Sequence, residues 1–259
     1  MTDQPRPGDA QTVEPAAGQV ADRPAPPPAA TADRPAALLA HPTREAYDRE
    51  LRAVRDEIFR MGSLVEEAIR AAIGALRAHD IEAATRVIEG DAEINAAQQR
   101  IMTAITRVIA TQQPVARDLR YLLSLNEVTY ELERIGDHAS SVAKQVQHLA
   151  PEAPLAQYVY LPQMGDLGAN LLHGIMRALI DLDEVRAREV AAGDDEIDHL
   201  YHQAFEKLVE LLRVDPANVE RGMRILIASH YLERIGDRVT NIAEDVVFLS
   251  SARVEDLNP

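Results

Sequence analysis

The hexapeptide Leu132-Glu133-Arg134-Ile135-Gly136-Asp137 returns letter for letter as Leu232-Glu233-Arg234-Ile235-Gly236-Asp237. An unbroken six-residue match between the two halves of one chain marks an internal repeat. Both copies lie in long stretches whose apolar residues recur every three or four positions, which places both on helices. Each copy holds a Glu and an Asp four residues apart. On a helix these are neighbours on one face, and two like charges there destabilise it by roughly a few tenths of a kcal/mol. Each copy also carries a mid-helix Gly, which costs about 1 kcal/mol relative to Ala. Two unfavourable local choices, made twice at equivalent places, point to a purpose beyond folding.

Outward from the first copy, the apolar stripe runs Leu119, Leu122, Leu125, Val128, Leu132, Ile135, Ala139 and Val142, on a helix that Pro114 is expected to open. Before it lies a helix capped by Asp80 and striped with Val87, Ile94, Ile101, Ile105 and Ile109. A first helix starts near Thr43 and carries Leu51, Val54, Ile58, Met61, Val65, Ala68, Ala72 and Leu76. The pattern then restarts. A helix from Gln163 to about Ile180 carries Leu167, Leu171, Ile175 and Leu179. The next, capped by Asp181 or Asp183, carries Val190, Ile197, Ala204, Leu208 and Leu211. A last helix, opened by Pro216, carries Met223, Ile227, Leu232, Ile235, Val239, Ile242 and Val246.

The expectation is an all-α protein of two tandem antiparallel three-helix bundles related by an internal repeat. The first spans 43–152 and the second 160–252. Residues 1–42 hold nine of the fifteen prolines and few large apolar side chains, so they read as a disordered tail. Gly90-Asp91-Ala92-Glu93-Ile94-Asn95 also matches Gly193-Asp194-Asp195-Glu196-Ile197-Asp198, offset by 103 residues where the hexapeptides are offset by 100. A loop three residues shorter in the second half would account for the difference.

Acidic residues (42) outnumber basic ones (27), which disfavours nucleic acid as a partner, since phosphate binding asks for basic patches. There is no cysteine, so disulfides and thiolate metal sites are excluded. Any metal would be held by oxygen and histidine, a donor set suited to magnesium, manganese, iron or zinc. The N-terminal decapeptide MTDQPRPGDA has no apolar signal-peptide core, and no uncharged apolar run approaches the ~20 residues that span a bilayer. A cytoplasmic protein without membrane insertion is expected.

At about 100° per residue, Glu133 and Asp137 fall on the side of their helix opposite the apolar stripe. Glu233 and Asp237 stand in the same relation to theirs. Asp194 and Asp198 lie on the flank of the preceding helix. An outward pair and a flank pair on adjacent helices can converge in a surface groove, where four carboxylates repel and a multivalent cation relieves the repulsion. Acidic residues on a polar helical face are also what any solvated helix carries. The duplication, and glycines that permit close approach of an ion, are what set these pairs apart. A buried di-iron centre of the four-helix type needs Glu-x-x-His on two helices. Here Glu196-Ile197-Asp198-His199 is matched by Glu93-Ile94-Asn95-Ala96, so such a centre is disfavoured.

The stretch Gln113-Pro114-Val115-Ala116-Arg117-Asp118-Leu119-Arg120, leading into the first LERIGD, together with the second LERIGD, resembles the PhoU family of phosphate-transport accessory regulators. The resemblance covers about residues 43–250. It implies tandem three-helix bundles with pseudo-twofold symmetry and E(D)xxxD motifs that hold an iron or zinc cluster on the bundle surface. Carried onto this chain, those motifs are Glu133 and Asp137, Glu233 and Asp237, with Asp194 and Asp198 on the second helix. The first-half counterparts of the last pair are Asp91 and Asn95, where one acid is replaced by an amide. The resemblance further implies a cytoplasmic homodimer linking the ATPase subunit of a phosphate ABC transporter to a sensor histidine kinase. It implies restraint of the starvation response when phosphate is plentiful, without enzymatic turnover. A metal-dependent hydrolase or metal-storage protein using the same carboxylates is the competing reading. A third takes the duplicated carboxylates as a contact face for dimerisation.

Overall fold

Seven α-helices and one 3-10 turn account for the regular structure of residues 44–153, 155, 158 and 160–257, the part of the chain that the computed structural model describes. They are α1 (Arg44–Ala78), α2 (Ile81–Gln112), α3 (Arg117–Leu149), α4 (Tyr160–Asp181), α5 (Glu184–Ala191), α6 (Asp194–Val214), the turn Pro216–Asn218, and α7 (Val219–Ser251). No strand occurs among the described residues. The proline-rich tail and the Thr43 cap lie outside them.

The stops and starts follow local chemistry. Asp80 takes an extended backbone and its Oδ1 accepts from the Ala83 N–H at 2.9 Å, capping α2. Asp183, not Asp181, caps α5 in the same way through Arg186 N–H at 3.1 Å. Asp215 accepts from Ala217 N–H and Pro216 opens the 3-10 turn that leads into α7. Pro114 does not open α3. It sits in the connector 113–116, and the helix begins only at Arg117. The connectors 113–116 and 215–218 are the same length. The three residues missing from the second half therefore come out of the helix ends that flank the connector, not out of a loop.

The second helix of the second half is broken where one continuous helix was expected. Ala192 closes α5 by donating to Arg188 O, and Gly193 N–H turns back to Val190 O at 3.0 Å. Gly193 is required there: a Cβ would lie 2.6 Å from Leu171 Cδ2 of α4 and 3.1 Å from Val190 O. The equivalent Gly90 meets nothing within 4 Å and stays inside an unbroken α2. The break gives α6 a fresh N-terminus, with Asp194, Asp195 and Glu196 in its first turn.

Helices α1, α2 and α3 pack on one another as one bundle, and α4, α5, α6 and α7 as the second. The bundles join along α3 against α7 and α1 against α4. Side chains across the first seam come in pairs related by the repeat. The buried Thr129 and Ser140 of α3 correspond to the buried Ser229 and Thr240 of α7. Arg238 approaches Glu131 at 3.5 Å where, in the mirrored position, His138 stacks on Tyr231.

The core contains most of the expected stripes, including Ile58, Met61, Val65, Ile101, Leu132, Ile135, Ile175, Ile197, Ile235 and Ile242. Two stripes differ from the expectation. On α4, Leu167 and Leu171 are only partly buried, while Met164, Gly168 and Leu172 take the core. On α7, Met223 is exposed and Ile227 only partly buried, while Gly222, Ile225, Ala228 and Ser229 take the core. A spacing of five between 227 and 232 turns the helix too far for both residues to share one face.

Candidate functional site

The repeated carboxylates gather at two places, each formed between the two helices that carry them. In the first half these are Asp91 and Asn95 of α2 with Glu133 and Asp137 of α3. In the second half they are Asp194 and Asp198 of α6 with Glu233 and Asp237 of α7. Their mutual influence is evident in their protonation. Asp137 raises both Asp91 and Glu133, and Asp237 raises Asp194, Asp198 and Glu233, in each case after burial, which is the larger cause.

The outward placement expected for the ExxxD pairs needs correction. The side chains of Glu133, Glu233 and Asp237 retain only 20%, 22% and 26% of their exposure. The reason is the breadth of the buried arc. Besides the apolar stripe, α3 buries Thr129, Gly136 and Ser140, and α7 buries Ser229, Gly236 and Thr240, because each helix is covered by its own bundle and by the other. The arc reaches round to the carboxylates, which stand at its margin and not opposite it.

Asp194 lies deepest. It is 4% exposed, and neither carboxylate oxygen has a hydrogen-bond partner. Burial first, then the neighbouring Asp198, Asp237, Glu233 and Asp195, push it up to about 7. Its Oδ1 rests against the α7 backbone at Gly236, where any Cβ would collide with it. This explains the second mid-helix glycine of the repeat. The first has another cause, since a Cβ on Gly136 would meet Ile94 Cδ1 at 3.0 Å. Around this cluster, Arg234 approaches Asp237 at 3.3 Å and His230 Nδ1 approaches Glu233 at 3.3 Å.

The first cluster is quieter. Asn95 Nδ2 donates to Asp91 Oδ2 at 3.1 Å, and the Lys144 ammonium and that hydrogen bond oppose the burial that raises Asp91. Arg134 Nε stands 3.8 Å from Glu133. Asp91 Oδ1 and Asn95 Oδ1 are buried without a partner.

The chemistry of the donors suits a hard or borderline cation: carboxylate oxygens, orphaned and close enough to repel, with a glycine cradle beneath one of them. In the second cluster both oxygens of Asp194 and Oε2 of Glu233 are without a hydrogen-bond partner, and Asp198 and Asp237 stand near enough to raise both groups. Among the described residues, no three His, Asp or Glu side chains stand close enough together to hold a metal ion as placed.

A further set of groups escaped the reading of the sequence. Asp245 of α7 is pushed up to about 7 by burial and then by Glu127, Glu131 and Glu244, against a hydrogen bond from Ser124. His138 is driven down to about 4 by burial and by Arg238, Arg234, His230 and Arg134, so it is neutral at physiological pH. Both sit on the α3–α7 seam. The repeat offered a signal for them, since Asp245 and Arg238 stand where the first half has Gln145 and His138.

Comparison with known proteins matches both halves of the chain to one family model, the PhoU domain, at residues 58–146 and 161–246. A phosphate-specific transport system accessory protein PhoU homolog of Clostridium acetobutylicum is 33% identical over 217 residues, covering 83% of this chain and 99% of that protein. The homolog of the same description from Pseudomonas aeruginosa is 35% identical over 212 residues, covering 82% and 88%. Among solved structures, the crystal structure of PhoU from Pseudomonas aeruginosa superimposes with a TM-score of 0.77 at 35% identity, covering 80% of this chain and all of that one. The phosphate transport system regulatory protein PhoU from Streptococcus pneumoniae gives 0.75 at 30% identity, covering 81% and 99%.

Proposed function

The chain belongs to the PhoU family, and from that membership we propose that it is an accessory protein of a phosphate-specific transport system that restrains the phosphate-starvation response. The observation that carries this reading is the extent of the likeness. Both bundles match, and relatives described as accessory or regulatory proteins of phosphate transport are covered almost end to end. The role is that of a cytoplasmic homodimeric adaptor without turnover. Its helical faces contact the transporter's ATPase subunit and a sensor histidine kinase, and no described helix is long and apolar enough to cross a membrane itself.

The carboxylate clusters belong to this reading as metal sites for iron, zinc, manganese or magnesium. Orphaned buried oxygens on Asp194, and the glycine beneath them, support it. Bound metal would supply fixed positive charge between α6 and α7. The chain's own residues would supply carboxylate oxygens and hold the two helices in register around it.

The test is recovery of partners from cells grown with plentiful and with scarce phosphate, using the full chain as bait. The reading expects the ATPase subunit and the kinase to be recovered when phosphate is plentiful. Recovery of neither, in either condition, would end it.

A further inference from the structure

We infer that the two carboxylate clusters are not equivalent: the second is the cation site, whereas the first carries a built-in counter-charge in Lys144 with Asn95 and stays free of metal. This rests on the metal reading above and goes beyond it.

The comparison is position by position, because the repeat supplies the alignment. Asp91 corresponds to Asp194, Glu133 to Glu233, Asp137 to Asp237, and Arg134 to Arg234. Those four pairs cancel. Of the positions that differ, two make the second cluster the more negative, while a third, neutral His138 in place of Arg238, works in the opposite sense. Asn95 stands where the second half has Asp198, and Lys144 stands where it has Glu244.

The differences are expressed in contacts. In the first cluster the Asn95 amide donates to Asp91 at 3.1 Å, and the Lys144 ammonium acts on the same carboxylate. One oxygen of Asp91 is therefore satisfied from within the protein. In the second cluster the equivalent Asp194 is 4% exposed and both its oxygens are without a partner, while Asp198 adds a fourth carboxylate in place of the amide. Glu244, where the first half has its lysine, lines a groove with Asp237 and Asp256 whose other charged residues are Arg234 and Arg238. The basic groups near this cluster lie at its margin: Arg234 is paired with Asp237, His230 approaches Glu233, and His202 acts on Asp198. None of them reaches the oxygens of Asp194 by hydrogen bond.

A buried carboxylate without a partner is held only where the rest of the structure imposes it, because its desolvation is uncompensated. A multivalent cation is the compensation that four converging carboxylates recruit. An amide and an ammonium reduce that demand. The amide removes one unit of negative charge, and the ammonium adds a positive charge that opposes an incoming cation.

The experiment titrates chelator-treated full-length protein with Mn²⁺ and, separately, Zn²⁺, and reads stoichiometry and affinity by calorimetry and by metal analysis after dialysis. Three variants accompany the wild type. Asp194→Asn with Asp198→Asn empties the second cluster, Asp91→Asn with Asp137→Asn empties the first, and Asn95→Asp with Lys144→Glu gives the first the second's acids at both of these positions. Wild type is expected to show one class of tight site. That class should weaken at least tenfold in the second-cluster variant and persist in the first-cluster variant. The converted protein should gain a second class of comparable affinity, a gain that a folding defect cannot mimic. Equal loss from both emptied variants, or no gain on conversion, would overturn the inference while leaving the metal reading intact. No uptake by the wild type would overturn both.

Discussion

Asp194→Asn in metal-free protein isolates the energetic consequence of the buried carboxylate. In the folded chain this carboxyl titrates near 7 against an ordinary value of 3.8, a gap of about three pH units. Within that window the folded state holds a proton that the unfolded state has released. Stability therefore falls as pH rises from about 4 to about 7, and the loss is complete above that range. At about 1.4 kcal/mol per unit, the gap corresponds to roughly 4 kcal/mol at most. For a chain of this size a kcal/mol moves the melting temperature by about 2–4 °C, so the effect is on the order of 10 °C. The amide fills the same space without charge. In the presence of chelator the variant should melt higher than wild type at pH 8, by that order, with the difference vanishing near pH 4. Asp245, raised in the same direction, is present in both proteins and cancels. Thermal melts followed by circular dichroism from pH 4 to pH 8 decide the matter. A variant that melts at or below wild type at pH 8, or a difference that does not change with pH, would refute the reasoning.

Four further perturbations test the fold. Asp80→Ala removes the α2 cap and should cost about 1 kcal/mol in urea unfolding, as lost side-chain caps do. Gly90→Ala places a methyl group in open space inside a helix and should stabilise by up to about 1 kcal/mol. Gly165→Ala should do the opposite, because its Cβ would collide with Ile73 across the α1–α4 joint, and overpacking of this kind typically costs about 1–3 kcal/mol. Leu232→Ala, at a side chain 1% exposed, should cost about 2–5 kcal/mol, measured by the same unfolding assay.

Much of this molecule was legible in the sequence because its signals are local. Three aspartates at helix starts, apolar spacing of three and four, and an identical hexapeptide in each half together specify the helical class and the tandem arrangement. The pairing of the GDxEI and LERIGD segments of each half could be read from their shared repeat, since adjacent helices in a bundle bring them side by side. What could not be read depends on tertiary contact. The break at Gly193, which packs against Leu171 of another helix, leaves no mark in the surrounding periodicity. A stripe counted from large apolar residues alone puts the carboxylates opposite the core. Small residues such as Gly136, Ser140 and Ser229 extend the buried arc without adding hydrophobicity to the pattern. Asp245 and Glu131 drew no notice for a similar reason, since only the packing of α3 on α7 turns their ordinary polar positions into a shared seam.

The regulatory role is tested most directly by deleting the gene in its own cell and following a phosphate-starvation reporter while phosphate is plentiful. The account predicts that the reporter is switched on despite abundant phosphate and is silenced again when the full chain is supplied in trans. A reporter that stays silent in the deletion strain and still responds normally to starvation would contradict it.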